Sequence, residues 1–136
     1  MALCIEKFAR HYYELYNKKD GKFLESECRI LFLTYLKPIL NGKGFYYVES
    51  ETRNKSRMDV LVDFGTEQFI VELKLWYGES AHEKALGQVC KYLDSKSKDT
   101  GYLLTFDFRK EDNVGKPRME WVEYNGKRIF DVMVGA

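Results

Sequence analysis

Three residues carry most of the chemistry this sequence could do: Asp59, Glu72 and Lys74, all within the stretch RMDVLVDFGTEQFIVELKLW at 57–76. Read with the alternation of a strand, Met58, Val60, Val62 and Phe64 point one way, and Asp59, Leu61 and Asp63 the other. After a turn at Gly65, Thr66 and Glu67, the next run alternates Phe69, Val71, Leu73 and Leu75 against Ile70, Glu72, Lys74 and Trp76. A carboxylate and an ammonium therefore share one face of a strand that otherwise reads as buried. A buried charge costs several kcal/mol unless it is paired or holds a metal. Two explanations fit: an ion pair between Glu72 and Lys74 with Asp59 at a strand end, or a cation site in which the acids are ligands.

The order of these residues decides between them. Asp59, followed thirteen positions on by Glu72-Leu73-Lys74 across a hairpin, resembles the motif of the PD-(D/E)XK nuclease superfamily, with Met58 standing where the motif has its proline. The resemblance extends to Glu27 on the helix before the sheet, and to Gln88 and Tyr92, which resemble the Gln-x-x-x-Tyr signature of an exonuclease-like branch. The phrases RMDVLVDF, EQFIVELKLW, ALGQVCKY and GYLLTFDF are similar to a nuclease-like domain that follows an ATPase-like domain in a large bacterial family. The resemblance implies a metal-dependent nuclease cutting phosphodiester bonds in DNA. Mg²⁺ or Mn²⁺ would be held by Asp59, Glu72 and the backbone carbonyl of Leu73, with Glu27 binding through water or completing a second metal position. Lys74 would orient the attacking water, and Gln88 and Tyr92 would hold Lys74 or a phosphate. It also implies an ATPase-like partner domain outside this chain. A second reading is a catalytically silent nuclease-like module that binds nucleic acid or a partner domain.

These residues must be positioned by elements, and the patterns supply them. Cys4, Phe8, Tyr12 and Leu15 recur at helical spacing over 3–18, and Leu24, Cys28, Leu31 and Tyr35 do so over 22–40, with Pro38 near the end. Glu27 falls near the second stripe, so an acid looks inward. Residues 45–51 read as a first strand. Arg53, Lys55 and Arg57 then put three cations directly before Asp59, a solvated turn or a phosphate contact. Past the hairpin, Ser80 and Glu83 have capping-box spacing, and the helix to about Ser97 carries Ala81, Ala85, Gln88 and Tyr92 as its stripe. Residues 101–108 form a buried strand, and Asn125-Gly126 joins strands at 118–124 and 127–134. The expected architecture is α/β, a restriction-endonuclease-like αβββαβ core over about 22–108, a mixed central sheet flanked by helices. An extra N-terminal helix and a C-terminal β-hairpin complete it.

Composition bounds the rest. The 136 residues make one domain by size, 45% hydrophobic and 15% aromatic, and the formal charge of +1 means any anion-binding surface is local. Cys4, Cys28 and Cys90 lack Cys-x-x-Cys spacing, so reduced thiols in a cytoplasmic setting are expected. No apolar run approaches the roughly 18 residues of a membrane span, so no membrane partner is expected. A phosphate-cradling Gly-x-x-x-x-Gly-Lys motif is missing, which argues against ATP hydrolysis. His11 and His82 read as surface or packing residues. The aromatic edges Tyr46, Tyr47 and Trp121 leave a homodimer or a base stack open.

Overall fold

A computed structural model describes residues 1–15, 25–50, 58–107 and 117–135. Side chains at 12–15, 25–28, 49–50 and 58–59 lie outside the described set. Among the described residues the order is α1 (Ala2–Leu15), α2 (Glu25–Leu40), β1 (Gly44–Ser50), β2 (Met58–Phe64), β3 (Glu67–Leu75), α3 (Glu79–Ser95), β4 (Thr100–Asp107), β5 (Arg118–Tyr124) and β6 (Lys127–Gly135). This is the expected αβββαβ core with its preceding helix and closing hairpin. The six strands form one sheet in the order β1-β2-β3-β4-β6-β5.

Chain chemistry explains the pairings. β1, β2 and β3 pair antiparallel, and the two-residue turn between β2 and β3 uses Gly65 at φ 62°. The crossover through α3 brings β4 back parallel to β3. Asn125 at φ 50° and Gly126 at φ 78° make the left-handed two-residue turn whose twist suits a hairpin, so β5 and β6 are antiparallel. The insertion of β6 between β4 and β5, parallel to β4, is not read from the local pattern.

The period-two alternation read from the sequence holds through the centre of the sheet. Val60, Val62, Val71, Leu73, Leu104, Phe106, Val132 and Val134 join the core under α1 and α2. Phe8 seals that side, its ring set edge-on to Phe32 at 5.2 Å and to Phe106 at 6.2 Å. Leu61, Ile70, Leu103 and Ile129 face the other way, against Leu86, Val89, Cys90 and Leu93 of α3. Asp59, Glu72, Lys74, Thr105 and Asp131 occupy positions of this second, α3-facing parity.

The structure corrects two readings of α3. The helix starts at Glu79 behind Gly78, with no side-chain cap bond, so Ser80 and Glu83 do not form the expected capping box. Gly78, at φ 104°, adopts a turn conformation open to glycine. The buried stripe is His82, Leu86, Val89 and Leu93, with Ala85 and Cys90 beside it, turned from the expected Ala81, Ala85, Gln88 and Tyr92. The larger apolar side chains win the core-facing positions because they remove more surface from water.

Candidate active site

Backbone pairing brings the two acids together. Asp59 of β2 stands directly opposite Glu72 of β3, at a pairing position where Cα atoms are about 4.5–5.5 Å apart. Their shared register puts both positions on the α3 side. Glu49 of β1 is in turn opposite Asp59, so three acidic positions lie in one row across three neighbouring strands. Like charges at facing positions of a sheet repel, and a row of this kind is stable where a cation offsets it.

Glu72 is fully buried, and Lys74 Nζ lies 3.8 Å from its Oε1. Two residues further along β3, Lys74 pairs with Thr105 of β4 on the same face and lines a cavity of about 160 Å³. Trp76, His82, Gln88 and Thr105 also form its wall. Gln88 of α3 thus lines the same cavity as Lys74. Tyr92 sits one turn further along α3 and is not part of that wall; the Lys96 ammonium lies 5.7 Å from its ring centre. Glu27 belongs to the first turn of α2, which packs on the opposite face of the sheet. The side chains of Glu27 and Asp59 lie outside the described residues, as do Arg53, Lys55 and Arg57 entirely.

A metal ion fits this donor set by its chemistry. Glu72 supplies a carboxylate held out of water, the facing position is aspartate, and Leu73, between Glu72 and Lys74, supplies a main-chain carbonyl as a further hard oxygen. Among the described residues no three His, Cys, Asp or Glu side chains group as a metal site, a set that excludes Asp59, Glu49 and Glu27.

The model of the PD-(D/E)XK nuclease superfamily matches residues 44–116, more than half of the chain. The chain belongs to the PD-(D/E)XK nuclease superfamily. Its mixed sheet with helices on both faces is the restriction-endonuclease-like arrangement. Nucleases of this superfamily generally use divalent metals. No curated protein matches the chain. No helix among the described residues is long and apolar enough to cross a membrane.

The structure also brings forward residues to which the sequence pattern assigns no chemistry. His82, expected to be a surface or packing residue, is buried, with Nε2 2.8 Å from Asp131 Oδ2 and its ring 5.5 Å from Trp76. Asp131 is itself buried in β6. Thr105 is 1% exposed, and its hydroxyl has no hydrogen-bond partner among the described residues. One signal was available: Asp131 interrupts the apolar run IFDVMV much as Glu72 interrupts IVELKL. The contact between His82 and Asp131 spans 49 positions and had no local signature.

Proposed function

We propose that this superfamily member is a divalent-metal-dependent nuclease that hydrolyses phosphodiester bonds in DNA. The observation that carries the reading is the pairing of Asp59 with a fully buried Glu72, two residues before Lys74, on one face of the sheet. A carboxylate is kept at full burial only when something positive compensates it; Lys74 Nζ lies 3.8 Å from Glu72 Oε1, and a divalent cation between the two facing acidic positions would add to that compensation.

In this reading Asp59, Glu72 and the Leu73 carbonyl would hold Mg²⁺ or Mn²⁺; Glu27, on a helix packed against the other face of the sheet, is given no role at that ion. Held there, a divalent ion would supply charge to neutralise the phosphodiester and to lower the proton affinity of the attacking water. Lys74 orients that water and offsets negative charge as it builds on the phosphoryl oxygens. Gln88, in the same cavity wall as Lys74, restrains the Lys74 chain or a phosphate. Tyr92 acts one turn behind it.

Circular and linear DNA incubated with the purified chain in Mn²⁺, and with chelator, tests the reading. Cleavage in metal that disappears with chelator and with Glu72→Ala or Lys74→Ala is expected, and a mutant that still cuts would end it. The near-neutral charge of +1 favours a second reading, a nuclease-derived module that binds without cutting. Mn²⁺ titration separates the two, since a silent relic has no reason to keep a metal-binding Asp59 and Glu72.

A further inference from the structure

The buried pair of His82 and Asp131 has no part in the chemistry above, yet it lies against the same cavity. On the α3 face of β4 and β6 the neighbouring positions are Leu103 and Ile129, both fully buried. A charge placed among them is expensive, and an apolar residue would pack there at no such cost. Opposite the Asp131 carboxylate Nε2 of His82 donates, and Nδ1 can donate to an anion's oxygen when the ring carries both hydrogens. Thr105 adds a second group with capacity to spare, a buried hydroxyl in the cavity wall with no partner among the described residues. Buried hydroxyls are normally hydrogen-bonded, so an exception beside a cavity points to something that enters it.

Charge and size say what that is. Lys74 and Lys84 are among the residues of the wall, and their positive charge disfavours a second cation. The first turn of α3, a helix of 17 residues, contributes Ala81 and His82, and the positive end of a helix favours an anion. A cavity of about 160 Å³ has room for a tetrahedral oxyanion. We propose that this cavity is a phosphate-binding subsite in which His82, braced by Asp131, and the Thr105 hydroxyl contact phosphate oxygens alongside Lys74. The subsite rests on the nuclease reading only for the owner of the phosphate, a nucleic-acid strand.

The test is titration of the metal-free, full 136-residue chain, followed by NMR signals of the His82 ring and Thr105. The probes are thymidine 5′-monophosphate, the dinucleotide TpT, and thymidine as a control without phosphate. Saturable shifts with either phosphate compound and none with thymidine are expected. A response to the monophosphate alone assigns the subsite to a strand end, and a response to TpT assigns it to an internal phosphate. Thr105→Val, close in shape and free of the stranded hydroxyl, should fold and weaken binding about tenfold; His82→Gln provides the second variant. No saturable shift at millimolar phosphate compound, or unchanged affinity in Thr105→Val, overturns the proposal. Phosphate binding without metal-dependent cleavage would sink the nuclease reading and leave the subsite standing. Cleavage with a silent His82 and Thr105 would do the reverse.

Discussion

Glu72 concentrates the tension of this site: a carboxylate at zero exposure, with Lys74 Nζ 3.8 Å away and aspartate at the facing position of the neighbouring strand. Replacing a buried ion pair by well-packed groups of similar volume is often stabilising, by about 1–4 kcal/mol. Glu72→Gln with Lys74→Met should therefore raise the urea midpoint while abolishing DNA cleavage, and a double mutant that loses stability would mean the pair is structural. Metal supplies the complementary check. Mn²⁺ at a hundred times its dissociation constant should stabilise the protein by about 2.7 kcal/mol, read as a higher melting temperature. That increment should vanish in Glu72→Gln. At this scale Asp59, Glu72 and Lys74 were legible because charges broke an apolar alternation over a few residues. Thr105 was not, since a threonine in a strand breaks nothing.

Helix α3 is the element that turns a charged strand face into a cavity. It lies on β4 at Gly101, where an added Cβ would stand 2.9 Å from Leu93 Cδ1 and 3.0 Å from Val89 Cγ1. Gly101→Ala should thus make the Leu93 and Val89 side chains give way, costing about 1–3 kcal/mol in denaturant unfolding. Because α3 carries His82 and Gln88, the same change should weaken phosphate-dependent shifts at His82 even where the fold survives. The helix itself was plain in the sequence, but its rotation was not. Periodicity admits stripes one residue apart, and the choice of His82-Leu86-Val89-Leu93 over Ala81-Ala85-Gln88-Tyr92 comes from what the sheet offers, a glycine flanked by Leu103 and Ile129.

Across the whole molecule, burial leaves a signature at alkaline pH. Desolvation raises the thiols of Cys4 and Cys90 above 9.0 and the phenols of Tyr35 and Tyr102 above 10.0. The Cys90 thiol also donates to the Tyr124 carbonyl at 3.1 Å. In each case the folded chain holds its proton more tightly than the unfolded chain, so the associated stability is complete below the unfolded value and lost as pH rises through the folded one. Melting temperature should be flat from neutral pH to about 9 and fall above it, and a fall beginning well below that would place the cause elsewhere. The amino-acid order by itself determined the αβββαβ succession, the two faces of the central hairpin and the acidic pair within it. These follow from short-range periodicity and from turns that leave adjacent strands no other pairing. The tertiary structure alone decided that β6 slots between β4 and β5, that Asp131 reaches His82, and that a cavity opens beside Lys74. Those contacts join residues tens of positions apart, and only the packing of both sheet faces at once selects them.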